Sequence, residues 1–381
     1  MSEIKVNSIK GVGASAAAIT VNNTDGTCTA NLTNRTNKNL VINGAMQVAQ
    51  RATSSTSSGY YTVDRFQVNY SGTDEAPTQA QVDVASGTTP YTLGFRKAFK
   101  LTNGNQTSGA GAADYLIIRT ILEAQDIANS GWNYLSSSSD ITLSFWVKSS
   151  VAQNFYGTVR SIDTAYVYPF ETGSLSADTW TKITKTIPGN SNLTFNNDNG
   201  AGLYVSFMPF FGTDYTASSV NLNQWAAYSL STQTPDYTST WYTTNDATFE
   251  ITGVQLEVGS VATDFEHRSF GQELALCQRY FQSILKLNKY GFMVTYRSSG
   301  RAEGAIRLPV PMRTTPSLEQ TTGTNYYTLY PPTDNFSGFT GLTASSNDVV
   351  TPYVDSGLSG TEGVAALVYS NTGTINLSAE L

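Results

Sequence analysis

FEITGVQLEVGSVATDFEHRSFGQELALCQRYF, Phe249 to Phe281, decides how this chain is read. Phe249 and Ile251 alternate on one face of a strand, and after Gly253 the phase slips so that Val254, Leu256 and Val258 carry the apolar face. A strand that changes phase at a glycine predicts a β-bulge. Gly259 ends the strand, and Ser269 and Gln272 then stand at capping-box spacing. Phe270, Leu274, Cys277 and Phe281 follow at helical intervals, which predicts one short amphipathic helix with Cys277 as a small core residue. Strand signals lie on both sides, so the helix reads as a hinge between two β domains.

Working outward, residues 39–266 read as a β-sandwich of jelly-roll type. LeuValIleAsnGlyAlaMet opens it, and Tyr61, Val63, Arg65 and then Phe66, Val68, Tyr70 suggest a bulged strand. Further strands are expected at Phe95–Leu101, Asp114–Ile121, Ile141–Val147, Tyr156–Arg160, Thr181–Ile187 and Leu203–Phe207, with turn signals such as AsnGlyAsn and ProGlyAsn between them. A helical turn is expected within residues 121–129. Residues 267–285 hold the linking helix, and 286–381 form a smaller C-terminal β domain with Pro309, Pro311 and Pro316 marking edges. Residues 1–38 contain too little apolar material for a core and read either as an unstructured tail or as an arm that orders against a partner. No repeat of 20–50 residues is present, which argues against a solenoid.

Only 13% of residues are charged, the net charge is −7, and Ser, Thr, Asn, Gly and Tyr abound, a composition suited to turn-rich polar β structure. Nucleic-acid binding needs clustered Lys and Arg and is not expected. An anionic polysaccharide held mainly by charge is disfavoured on the same ground, leaving neutral sugars. Two cysteines, Cys28 and Cys277, exclude a disulfide framework. The start lacks the apolar run of a signal peptide and no stretch reaches membrane-spanning length, so synthesis in a cytoplasm without membrane insertion is expected.

Catalytic signals are weak. His267 is the sole histidine, no nucleophile elbow accompanies it, and a structural role is expected. Asp74, Glu75, Asp163, Glu171, Asp214 and Asp236 are carboxylates without a recognisable glycosidase setting. No catalytic residue and no organic cofactor is assigned. A structural calcium ion drawing on Asp140, Glu257 and Asp264 is one reading of the closing strand's surroundings. Asp64-Arg65 reads as a structural ion pair. The stronger signal is aromatic: a long polar stretch after Phe211 carries Tyr215, Trp225, Tyr228, Tyr237, Trp241 and Tyr242, and the C-terminal domain carries Tyr326, Tyr327, Tyr330, Phe336 and Phe339. Trp and Tyr stack on the apolar faces of sugar rings while neighbouring amides and hydroxyls bond the sugar hydroxyls. Packing of the loop, or burial in a subunit interface, would use the same residues.

GVQLEVGS-AT-FE-RS running into E-LALCQRYF, together with the upstream NLVINGAMQVAQR…GYYTVDRF of residues 39–66, resembles a module of bacteriophage tail fibres and related virion proteins. The resemblance covers roughly Asn39 to Gln282. It implies a carbohydrate-binding-module-like jelly roll on a homotrimeric fibre or spike, attached to the virion through its N-terminal arm and binding a host-surface polysaccharide without chemistry. In this pattern Trp225 stands where a Trp often occurs, which favours a structural role for it. A structural head-fibre or tail component without glycan binding, and a polysaccharide depolymerase, are the alternatives.

Overall fold

In the computed structural model, which describes residues 6–10, 12, 19–21, 28–30 and 37–381, the deciding strand runs from Thr248 to Val258. Its phase changes at the glycine. Gly253 takes φ +62°, a left-handed conformation open to glycine at little cost, and the register against the neighbouring strand shifts between Thr252 and Gln255. Phe249, Ile251, Val254 and Leu256 are consequently all buried.

Numbered from the first strand of the sandwich, β1 is Ser54–Ser55, β2 Phe66–Ser71, β3 Thr78–Asp83, β4 Lys97–Thr102, β5 Tyr115–Glu123 and β6 Asp140–Ser149. β7 is Asn154–Ser161, β8 Tyr166–Ser174, β9 Thr181–Pro188, β10 Ala201–Phe211, β11 Ala226–Ala227 and β12 Thr248–Val258. They form two six-stranded sheets, ordered β9-β6-β12-β4-β3-β1 and β11-β8-β7-β10-β5-β2. The chain is an all-β jelly-roll sandwich, with its core made by alternate residues of both inner faces. Ile141, Leu143, Phe145 and Val147 of β6 face Phe155, Val159, Val205 and Phe207 of the opposite sheet within one buried cluster.

β3 and β8 were not foreseen: ThrGlnAlaGlnValAsp and TyrValTyrProPhe lack clean apolar alternation. One expected strand, and the first half of another whose second half is β2, are turns instead. Residues 40–46 form no strand; Asn43 and Met46 take φ of 60° and 58°. The cause is Asn43, whose amide donates to Val48 O and Asp64 O at 2.9 Å each, giving the backbone local partners in place of a sheet ladder. Residues 61–65 likewise turn, with Arg65 at φ 69°. The helical turn expected within 121–129 is Ala124–Ala128.

The motif residues meet in one buried junction. Asn39 accepts from Leu256 N (3.0 Å) and donates to Val254 O (3.1 Å). Glu266 accepts from the backbone of Asn37 and Asn39, and Glu273 accepts from Asn43 N at 2.5 Å. Gly44 lies so close to the bulge that a Cβ there would stand 2.0 Å from Val254 O. The capping box forms: Ser269 Oγ accepts from Gln272 N, and Gln272 Oε1 from Ser269 N. The helix, Phe270–Gln278, does not bury the face that its periodicity suggests. Glu273 and Cys277 are buried, whereas Phe270 is 56% exposed and Leu274 only half-buried. The helix is docked by the Glu273 carboxylate as much as by apolar contact.

Asp64 and Arg65 do not pair with each other. At φ 69° Arg65 turns its side chain away from Asp64's partners and toward Glu380, with which it forms a buried ion pair. Its guanidinium lies 3.4 Å from the Tyr280 ring centroid and donates to Ile121 O at 2.6 Å. Asp64 instead accepts from Gln50 N and Nε2. Burial raises its carboxyl from the ordinary carboxylate value to about 6, against the hydrogen bonds from Gln50. Because the folded state holds this proton more tightly than the unfolded chain, the site contributes most below about pH 4 and loses that contribution as pH rises towards 6. Between pH 5 and pH 8 Asp64→Asn should therefore gain on the order of 1 kcal/mol relative to the parent chain in urea melts. A difference independent of pH would refute the assignment.

Beyond the helix, Phe281–Leu285, Ile375–Ser378 and Ser317–Gln320 form a three-stranded sheet, and a seven-stranded sheet is centred on Tyr290–Ser298 and Ala365–Ser370. Their core holds Val294, Tyr296, Tyr327, Leu329, Phe336, Phe339 and Val368. Among the N-terminal residues described, Ser8–Ile9, Ile19–Val21 and Cys28–Ala30 pair antiparallel. Val6, Asn7, Lys10, Val12, Asn37 and Lys38 are described as well, and the rest of the expected arm lies outside the described residues.

Candidate functional site on the outer sheet face

The sheet β11-β8-β7-β10-β5-β2 turns its other face away from the core, and the strand alternation that buries one set of residues places a second set there. One cross-strand row reads Gln67–Arg119–Ser206–Thr158, and the next reads Ile121–Tyr204–Arg160–Val167. Arg119 Nε donates to Ser206 Oγ at 3.1 Å. The Arg119 guanidinium stands 4.6 Å from the Tyr204 ring centroid, and that of Arg160 stands 6.0 Å from it. On its far side Arg160 stacks on Tyr228 at 3.3 Å. Burial holds Arg119 below its ordinary value, and repulsion from Arg160 acts in the same direction. Tyr60, at the other end of the face, is pushed upward by burial.

The long segment after β10 borders this face. Tyr228 N donates to Ala165 O, and Thr216 and Asp236 tie the segment to itself at 2.7 Å. Tyr237 seals one end, donating to Met208 O at 2.9 Å and packing edge-on to Tyr156 at 4.9 Å.

The aromatic residues singled out from sequence divide. Trp241 and Tyr242 are fully buried: Trp241 Nε1 donates to Thr248 O, and Tyr242 stacks on Phe210 at 4.2 Å. Their place in the sandwich core makes them unavailable to a ligand. Trp225 donates to Pro188 O and packs on Tyr168; Tyr215 packs edge-on to Tyr115. Both pin the segment down. Tyr228 alone of the six stands beside the arginines. In the C-terminal domain Tyr326 packs against the core, while Tyr330 joins Tyr290 and Tyr369 in a surface trio with centroids 4.8 to 6.3 Å apart. Tyr204, Arg119 and Arg160 were missed in sequence. Their signal was a single polar or aromatic residue breaking into strands such as TyrLeuIleIleArgThrIleLeuGlu.

His267 and four of the candidate carboxylates have structural partners. His267 Nε2 lies 2.9 Å from Leu93 O, with its ring between Phe95 and Phe265. Asp74 accepts from Ser108 and Thr107, Glu75 from Asn105 N, Asp163 from Asn196, and Glu171 from Asn154. For calcium, Glu257 is engaged at both oxygens by Thr263 and Gln255. Among the described residues no three His, Cys, Asp or Glu side chains gather where they could hold a metal ion. A groove of about 660 Å³ beside the linking helix is lined by Glu266, Arg268 and Arg279. These charges are already paired, Arg268 with Glu266 and Glu273, and Arg279 with Glu123. No helix among the described residues is long and apolar enough to cross a membrane.

No family model matches the chain, and no curated protein matches it. Solved structures with a related arrangement include the enzymatically active domain of bacteriophage CBA120 tailspike protein 4, at 11% identity and TM-score 0.33, over 58% of this chain. The match spans 21% of that tailspike chain, about a fifth of its length. TmCBM61 in complex with beta-1,4-galactotriose aligns at 9% identity and TM-score 0.28, over 59% of this chain and 99% of that one. The CBM22-1-CBM22-2 tandem of Paenibacillus barcinonensis Xyn10C aligns at 8% identity and TM-score 0.25, over 82% and 93%. At such scores these likenesses carry no argument, and the sheet topology above stands on its own.

Proposed function

We propose that this chain is a non-catalytic, glycan-binding virion protein, a phage tail fibre or receptor-binding protein working as a homotrimer, with the outer face of the β11-β8-β7-β10-β5-β2 sheet as its sugar site. The observation that carries the glycan reading is the juxtaposition of Tyr204 and Tyr228 with Arg119, Arg160 and Gln67 on the outward side of this sheet, where Thr158 and Ser206 lie buried between them. Tyrosine faces suit the C–H faces of a sugar ring, and fork-shaped and amide donors suit its hydroxyls. The virion reading is supported by the sequence motifs at 39–66 and 249–281, whose residues converge in the buried junction and so specify a module rather than a ligand site. The attachment role of the N-terminal arm belongs to this same proposal. Threefold copies on one particle would raise avidity without new contacts.

Two measurements test it. Gold-labelled antibody against the C-terminal domain should mark the outer ends of tail appendages on the parent particle; label spread over the capsid would make this a head fibre. Binding to host-envelope polysaccharide should fall at least tenfold in Tyr204→Ala and Tyr228→Ala at unchanged melting temperature, with no reducing ends released by the parent chain. Full binding in both variants would remove the sheet face from consideration.

A further inference from the structure

We propose that the sugar bound on this face is acidic, with its anionic group seated against Arg119 and Arg160. This rests on the glycan reading of the face and narrows its ligand class. Among the described arginines, Arg51, Arg65, Arg268, Arg279, Arg297 and Arg301 make ion pairs with carboxylates, Arg96 and Arg313 donate to backbone carbonyls, and Arg307 is exposed. Arg119 and Arg160 make no ion pair among the described residues, although both are half-buried and close enough to repel one another. Among the described residues the hydrogen bond of Arg119 goes to a neutral hydroxyl, and Nε of Arg160, like that of Arg51 and Arg268, is buried without a hydrogen-bond partner. Two adjacent guanidinium groups partly withdrawn from water are costly unless a counter-charge arrives.

The surroundings hold the guanidinium planes in place. Tyr228 supports Arg160 from one side, Tyr204 lies between the two arginines, and Ser206 fixes Nε of Arg119. A planar fork held this way matches a carboxylate, sulfate or phosphate ester, for which arginine is better suited than lysine. The net charge of −7 argued against a polyanion gripped by the whole surface. It averages over the whole surface, whereas here Arg119 and Arg160 stand close enough to repel one another.

The test uses an array of paired glycans, each neutral structure printed beside its uronic-acid, sulfated and phosphorylated counterparts, probed with the full chain. Acidic members should bind at least tenfold more tightly than their neutral partners, with a preference that weakens as salt is raised. Arg160→Gln and Arg119→Gln should abolish that preference, and Arg160→Lys should restore part of it; melting curves identify any variant that misfolds. Which acidic counterpart wins distinguishes carboxylate from sulfate and phosphate. Neutral glycans bound as well as acidic ones, with no change in the arginine variants, would overturn the inference and leave the glycan reading standing. Acidic glycans bound equally by the glutamine variants would place the site elsewhere and overturn it too. No binding to any glycan would remove the glycan reading together with the inference.

Discussion

Arg65→Ala should destabilise the fold by about 3 kcal/mol or more, because it leaves buried groups without partners rather than merely removing a contact. The Arg65 side chain is almost wholly inaccessible, and Glu380 opposite it is 9% exposed. The substitution also removes the stacking on Tyr280 and the donor to Ile121 O. Glu380 keeps Arg51 at 3.2 Å, which limits the loss. Arg65→Lys retains charge without the planar stack and should fall between parent and alanine variant. A double-mutant cycle with Glu380→Ala should show coupling well above 1 kcal/mol. Additive losses in chemical denaturation would mean that the pair is worth little.

Gly44→Ala should be comparably damaging, at about 3 kcal/mol. The added carbon would stand 2.0 Å from Val254 O, which belongs to backbone locked in the bulge of β12. The same approach carries the hydrogen bond from Val254 N to Gly44 O at 2.9 Å. Relief would require moving either the turn or the bulge, and Asn39 and Glu273 hold both in place. Gly109, where nothing lies within 4 Å of an added carbon but φ is +82°, gives a comparison in which only backbone strain operates. A melting temperature for Gly44→Ala equal to that of the parent would show that the junction is softer than its geometry states.

The bulge at Gly253, the strand around Phe145 and the Ser269–Gln272 cap were all legible in sequence, because each depends on a local pattern. Alternation separates one strand face from the other. It says nothing about which outward face meets which across a sheet, so Tyr204, Arg160 and Arg119 came together only through pairing of strands far apart in sequence. The aromatic residues of the segment after β10 looked like a binding loop, yet Trp241 and Tyr242 complete the sandwich core. Tyr and Trp carry the same sequence signal whether they anchor a loop or meet a ligand. Phe270 misled in the opposite sense, since a short helix held by the Glu273 carboxylate can leave apolar side chains outside.

The ion pair between Arg65 and Glu380 spans 315 residues of chain. During synthesis, every residue that builds the sandwich leaves the ribosome well before the carboxylate that neutralises its buried arginine. The nascent sandwich must therefore wait with Arg65 hydrated and the wall beside Tyr280 unfinished. Its last consolidation has to follow the emergence of Glu380 and is slowed by the loop that has to close.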